Sequence, residues 1–352
     1  MTDKIIENDI VEIINQIDNK RFSGKTILLT GAAGFLGTYF VRYFISLNDM
    51  NILQSPCKLV IIENFIRGVP TWFESIKNRY DVQFIEGDIN KLIDFPKSDF
   101  IIHAATIASP TYYRMYPIET MDANVIGLRN LLDFAKTNSC ESFLFFSTSE
   151  IYGDPPSEHI PTKETYRGNV SCTGPRACYD ESKRYGETLC VNFHQIHKIP
   201  VKIARPFNNY GPGLRLGDKR VIPDFFSNIL NNNKIVILSD GKVTRTFCYI
   251  SDAITGYLKI LLSDYNGESF NIGTSGPEIT MFELAQKISF IVNGNDKFEY
   301  EYYKSNDINY LADNPQRRCP DLTKSKNLLG YEPKISLDEG LTRIYNFYKS
   351  SI

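Results

Sequence analysis

The chain reads as an α/β protein: a doubly wound parallel sheet with a smaller mixed α/β lobe toward the C-terminus. Three observations predict this. Six short apolar runs, TILLT (26–30), KLVII (58–62), VQFI (82–85), DFIIHAA (99–105), SFLFFS (142–147) and VKIA (201–204), have the length and composition of strands buried on both faces. Helix-like stretches, notably 118–136 and 175–197, separate several of them, and strands alternating with helices give parallel β-α-β units. The first run passes straight into GAAGFLG (31–37), the glycine-rich turn with which a Rossmann-type sheet holds a dinucleotide. Six or seven strands are expected.

In chain order, residues 1–24 form an N-terminal helical extension, 25–205 the Rossmann domain, and 206–352 mainly the second lobe, with some elements interleaved. Over 9–20 an amphipathic helix is expected on the surface. Asp9 caps it, Glu12 completes a capping box, and Ile10, Ile13, Ile14 and Ile17 share one face. After residue 205 the rhythm breaks. The Asn-, Gly-, Pro- and Arg-rich segment 205–220 reads as a loop, 222–231 as a helix, and IVIL (235–238) and RTFCYI (245–250) as strands, with a helix beginning after Ser251. Thr280 with Glu283, and Ser336 with Glu339, mark the starts of two later helices.

Composition excludes several classes. With 39 Lys+Arg against 41 Asp+Glu the formal net charge is −2, without the basic surplus that nucleic-acid binding requires. No run of about 18 apolar residues suggests a membrane span, and the first 20 residues lack the apolar core of a secretory signal. The seven cysteines are scattered, with no C-x-x-C and no metal-ligand spacing, so no metal is expected and a reducing, cytoplasmic compartment fits.

The cofactor is expected at the glycine turn. Gly31, Gly34 and Gly37 permit the turn, the approach of backbone N–H groups to a pyrophosphate, and close helix–strand packing. The helix opening near Phe35 and Leu36 aims its positive end at that phosphate. Glu63, ending the second strand with Asn64 behind it, sits where a carboxylate accepts from an adenosine ribose and repels a 2′-phosphate. That favours NAD, although Arg67 lies close by. Asp88 is an adenine contact by position. Ile89, Ala104, Ala105, Thr106 and Pro206 complete the set expected around the dinucleotide.

Two further features carry chemistry. Tyr179 and Lys183 form Y-x-x-x-K, so on a helix they share a face, and an ammonium beside a phenol lowers its pKa and makes it a general base. Thr148, Ser149 and Glu150 follow a buried strand at the carboxyl edge, where open α/β sheets bind ligands. His103, ending another buried strand, reads as a packed residue rather than a catalyst.

TGAAGFLG, STSEIYG, YDESK and RPFNNYGPG together resemble the extended short-chain dehydrogenase/reductases that act on nucleotide sugars, the NAD-dependent epimerase/dehydratase family. The likeness is strongest to its UDP-glucuronate decarboxylase branch, with GPRACYDESKR the most specific motif. It covers about 24–348 and continues through TRTFCYISDA and DNPQRRCPDLTKSKNLLGYEPKISLDEGL. The resemblance implies that Tyr179 is the base for a sugar 4-hydroxyl, supported by Lys183 and Thr148, while Ser149 and Glu150 act at the C5/C6 side. It also implies that Arg245 faces the sugar carboxylate, that Asn208, Arg220 and Arg318 bind the nucleotide diphosphate, and that Tyr113 and Val221 complete the substrate site. A homodimer through 118–136 and 175–197 is implied too. The reaction implied is decarboxylation through a transient 4-keto sugar.

The chain departs from the decarboxylase pattern at Thr106–Ile107, Pro206, Cys248 and Glu63. Three alternatives stand beside it: a 4,6-dehydratase, whose commoner Thr-Asp-Glu triplet has Ser149 at the Asp position here; a 4-epimerase; and a non-catalytic dinucleotide-binding sensor.

Overall fold

A computed structural model describes residues 2–66, 68–238, 240–295, 297–303, 312 and 314–350, so Arg67 lies outside the described residues. Seven parallel strands form the main sheet: β1 (Thr26–Thr30), β2 (Lys58–Glu63), β3 (Val82–Glu86), β4 (Phe100–His103), β5 (Ser142–Phe146), β6 (Val201–Pro206) and β7 (Ser269–Ile272). Their order is β7-β6-β5-β4-β1-β2-β3, so the order reverses at β1, beside β4. In register, Thr30 lies opposite both Ile62 and His103, which brings the carboxyl ends of β1, β2 and β4 to one level. That reversal opens the crevice in which such sheets bind ligands.

The apolar runs become strands because both sheet faces are covered. Ile27, Leu28 and Leu29 of β1 are wholly buried, as are Phe143, Leu144 and Phe145 of β5. One face packs on helix α2 (Phe35–Asp49), whose Phe40 meets Phe146 edge-to-face at 5.9 Å. The other packs on α3 (Leu128–Asn138), through Leu128, Leu131 and Leu132, and on α4 (Ala177–His197).

The expected helix over 118–136 is divided. Pro117–Asp122 and α3 flank a π-turn at Ala123–Gly127, where Asn124 is buried and donates to Ser182 Oγ at 2.9 Å. Helix α4 begins at Ala177, two residues later than expected, with Arg176 at its cap position.

The N-terminal reading needs correction. Helix α1 spans Thr2–Ile14, so Asp9 is an interior residue and not a cap. The helix is not superficial: Ile6, Ile10, Ile13 and Ile14 are buried in the main core. Asp9 is wholly buried beside them and accepts from Tyr39 Oη (3.0 Å), Tyr249 Oη (2.9 Å) and Arg343 (2.8 Å).

The later chain also differs in detail. The 205–220 segment contains a two-residue strand, Asn209–Tyr210, paired with Cys248–Tyr249. The expected strand at 245–250 is two pieces, Thr244–Arg245 and Cys248–Tyr249, and helix α6 (Ile250–Leu262, after α5 at Val221–Leu230) starts at Ile250. Helix α6 is buried on nearly every side, and β7 joins the main sheet beside β6, so both elements from beyond residue 205 complete the layers of the main sheet. Thr280 and Glu283 form the reciprocal capping box of α7 (Met281–Asn293), and Ser336 Oγ accepts from Glu339 N at the start of α8 (Leu337–Lys349). No helix is long and apolar enough to cross a membrane among the described residues.

Candidate active site

A cleft of ≈ 1160 Å³ runs between the carboxyl edge of the sheet and the second lobe. It exceeds the roughly 300–1,000 Å³ of a site for one small molecule, which suits two ligands meeting end to end. The structure brings to its walls Gly31, Gly34, Phe35, Leu36, Gly37, Ala104, Thr106, Tyr113, Thr148, Ser149, Glu150, Tyr179, Pro206, Asn208, Arg220, Val221, Arg245 and Arg318. Glu63, Asn64, Asp88, Ile89, Ala105 and Lys183 are not among the residues that line it.

The glycine turn has no room for side chains. Gly31 has φ +75°, and a Cβ there would lie 2.6 Å from Ala105 N; a Cβ on Gly37 would lie 2.1 Å from Gly31 O. The turn therefore presents bare backbone ahead of α2, whose N-terminus opens at Phe35, the cradle a pyrophosphate needs. Thr106 Oγ1 on the same wall is buried with no partner among the described residues. These features fit a dinucleotide.

Glu63 ends β2, and its carboxylate already accepts three backbone N–H groups: Ala33 at 2.9 Å, and Asn64 and Phe65 at 3.1 Å each. It ties the glycine turn to β2 and keeps little capacity for a ribose. Asp88 caps its own turn by accepting from Asn90 N at 3.0 Å, and Ile89 is a core residue against α3. Ala105 N donates to Thr30 Oγ1 at 3.3 Å. His103 is likewise structural. Its Nδ1 pairs with Thr30 Oγ1 at 2.8 Å, and burial, then the charge of Lys183, pull its pKa down to about 3.

Strand β5 leads into the triplet Thr148, Ser149 and Glu150. Its last carbonyl, Phe146 O, accepts from Lys183 Nζ at 2.7 Å, fixing α4 against the strand end. Thr148 then caps a single helical turn at Ser149–Tyr152, its Oγ1 accepting from Glu150 N at 3.3 Å. Tyr179, one turn before Lys183, hydrogen-bonds Thr148 and lies with its ring centroid 5.9 Å from the ammonium. Its ring stacks on Tyr113 at 5.0 Å with planes 6° apart.

The expected lowering of the phenol pKa is not what the chain alone produces. Burial raises Tyr179, and the Thr148 hydrogen bond only moderates this; burial also brings Lys183 down to about 7. A dry site disfavours both charged forms.

Glu150 is the electrostatic centre. Burial would raise its pKa, but Arg176, Arg318 and Arg245 outweigh burial and hold it below the ordinary carboxylate range. Arg318 Nη2 donates to its Oε2 at 2.5 Å, and Arg176 donates to the same oxygen. Arg318 also donates to Asn208 Oδ1 at 3.3 Å, while Asn208 donates to Thr246 O at 2.8 Å, an anchorage that holds Asn208 at φ +41°.

Arg245 is buried and donates to main-chain carbonyls of Thr244, Gln316 and Pro315 and to Asn314 Oδ1. Burial, then Arg318, lower its pKa to about 9. Arg220 pairs with Asp218 at 2.9 Å on the cleft wall. Sequence reasoning misses Arg176. Its signal was available: it stands four residues before Asp180, as Tyr179 does before Lys183.

Fold and cleft together define an enzyme of the short-chain dehydrogenase/reductase class. The chain belongs to the NAD dependent epimerase/dehydratase family, whose model matches residues 27–273. It is 38% identical over 326 residues to UDP-glucuronic acid decarboxylase 1 of Arabidopsis thaliana, covering 93% of this chain and 70% of that one. Decarboxylase 6 of the same organism is 36% identical over 325 residues, covering 92% and 89%. Among solved structures, UDP-glucose 4-epimerase from Thermotoga maritima, with UDP-glucose, superposes with TM-score 0.79 at 25% identity, covering 93% of this chain and 99% of that one. dTDP-glucose 4,6-dehydratase from Bacillus anthracis, in complex with NAD, superposes with TM-score 0.77 at 25% identity, covering 93% and 97%.

Proposed function

We propose that the protein is an NAD-dependent decarboxylase of a UDP-glucuronate-like nucleotide sugar, yielding a UDP-xylose-like product through a 4-keto intermediate. The observation that carries this reading is the cationic surplus beside Tyr179. Arg245 and Arg318 line the cleft next to Glu150, a setting that favours a sugar bearing its own carboxylate over a neutral one. The identity to the plant decarboxylases supports it.

Bound against the glycine turn, NAD supplies the acceptor and later the donor of the hydride exchanged with sugar C4. The chain's own residues do the rest. Tyr179 holds and takes the 4-hydroxyl proton, with Thr148 Oγ1 orienting the phenol. The 4-keto group turns the C5 carboxylate into a β-keto acid, which loses CO2. Arg245 holds that carboxylate during binding, and the buried cations stabilise the enolate that follows. Glu150, with Ser149 beside it, takes up a proton from solvent and delivers it to C5, where it replaces the bond lost with CO2. Tyr179 returns its proton when the 4-hydroxyl is restored. Asn208, Arg220 and Arg318 hold the diphosphate, with Val221 and Tyr113 completing the substrate walls.

A homodimer suits the helices around 118–136 and α4, whose surfaces leave Ile118 and Tyr185 more than half exposed; light scattering reports it.

The decisive experiment incubates the protein with UDP-, dTDP-, GDP- and CDP-linked sugars and follows product mass. Loss of CO2 from UDP-glucuronate is expected. Loss of water from a neutral hexose instead would make it a 4,6-dehydratase, and exchange at C4 without mass change a 4-epimerase. NAD bound without turnover of any sugar would make it a sensor.

A further inference from the structure

The helix that carries Tyr179 and Lys183 carries a second pair four residues apart, Arg176 and Asp180, which the reaction above does not use. Both are buried, with 4% and 3% of their surface exposed. Arg176 donates through Nη2 to Glu150 Oε2, and its Nε lies 3.4 Å from Asp180 Oδ2. Asp180 Oδ1 is buried with no hydrogen-bond partner among the described residues. A buried carboxylate with an orphan oxygen costs stability. Packing alone would be served better by an apolar side chain, so what the group gains must lie in its effect on Arg176.

We propose that Arg176 and Asp180 are positioning residues for Glu150: Arg176 fixes the catalytic carboxylate, and Asp180 shares the charge of Arg176 so that Glu150 keeps its basicity. This rests on the reading that Glu150 handles a substrate proton. Three guanidinium groups (176, 245 and 318) face two carboxylates (150 and 180) around the reacting sugar; burial, then the Glu150 charge, raise the pKa of Asp180 to about 7, so near neutral pH its partial negative charge offsets part of the positive surplus. Without the Asp180 charge the surplus grows. Glu150 then sits in a stronger positive field, its pKa falls further, and it becomes a poorer proton acceptor. Other titratable groups acting on this cluster among the described residues include the phenols of Tyr113 and Tyr179, whose pKa values burial raises, Cys178 beside Asp180, and Asp154 toward Arg245.

Asp180→Asn keeps the shape and removes the charge. With NAD-loaded enzyme and UDP-glucuronate, kcat is expected to fall about tenfold, the size of coupling within one buried network. The KM should be little changed, and the alkaline limb of the kcat–pH profile, set by the need for a proton on Glu150, should move to lower pH. Asp180→Glu should restore both. In a Glu150→Gln background, single-turnover rates should show no further loss on adding Asp180→Asn. Equal losses in the two backgrounds, or an unchanged kcat and alkaline limb, would overturn the proposal. Wild-type turnover in Glu150→Gln itself would instead overturn the role given to Glu150. Should Asp180→Asn not fold, Arg176→Lys keeps the charge without bridging both carboxylates. It carries the same test: an unchanged rate and pH profile would overturn the proposal.

Discussion

Tyr113 and Tyr179 stack face to face, centroids 5.0 Å apart and planes within 6° of parallel. Tyr113 comes from the short helix Pro110–Met115 and Tyr179 from α4, so the stack locks the phenol to a second element and leaves its hydroxyl to Thr148.

Tyr179→Phe keeps that stack and removes only the oxygen. Turnover should fall by roughly 10²–10⁴-fold, the usual contribution of a general base. NAD should still co-purify and the melting temperature should change little. Turnover within a few-fold of wild type would remove Tyr179 from the chemistry.

Arg245→Ala should raise the KM for UDP-glucuronate at least about tenfold, the cost of losing a charge-assisted contact of about 1.5–3 kcal/mol. Binding of UDP alone should be nearly unchanged. Calorimetric titration of both ligands checks this, and an equal loss for both would assign Arg245 to the diphosphate instead.

Gly37→Ala tests the cradle. The added Cβ would stand 2.1 Å from Gly31 O and 2.7 Å from Ala32 Cα, both backbone atoms. The chain must shift, at a cost of about 1–3 kcal/mol or more, and the turn should lose NAD. Gly217, where a Cβ meets nothing within 4 Å, is the control, and Gly217→Ala should melt like wild type. Equal melting temperatures and NAD content for both variants would contradict the account of the turn.

Asp9 gives a pH signature. Burial pushes its pKa up to about 6, against the lowering pull of Tyr249, Tyr39 and Arg343. The folded state therefore binds the proton more tightly than the unfolded chain. Asp9's favourable contribution is complete below the ordinary Asp range near 4 and is lost as pH rises through about 6. Relative to Asp9→Asn, the wild type should lose stability across that window, by at most about 3 kcal/mol. Urea unfolding at pH 4.5 and pH 7.5 measures it, and a stability difference that does not move with pH would show Asp9 to be ionised throughout.

Much of the fold is legible in the sequence where one physical cause dominates. TILLT, KLVII and SFLFF lie between two covered layers, so their apolar runs announce strands. Strand β7 does not announce itself. Its sequence is SFNI, and Asn271 is wholly buried because it bonds Tyr152, Thr162 and Asp321, residues distant in the chain. Asp9 is opaque for the same reason: its partners Tyr39, Tyr249 and Arg343 lie 30, 240 and 334 residues away. At the site, Y-x-x-x-K and Thr-Ser-Glu follow from spacing and strand ends. That Glu63 turns inward to the glycine turn, and that Asp180 sits behind an arginine, depends on side-chain direction, which spacing does not encode.

The return of Ser269–Ile272 to the sheet has a consequence for anyone dissecting the molecule. A fragment ending near residue 205 would lose the neighbour of β6 and expose the row of backbone donors and acceptors that now pairs with it. Such an open border is a template for intermolecular strand addition. The N-terminal half made alone should therefore self-associate rather than behave as an independent nucleotide-binding module.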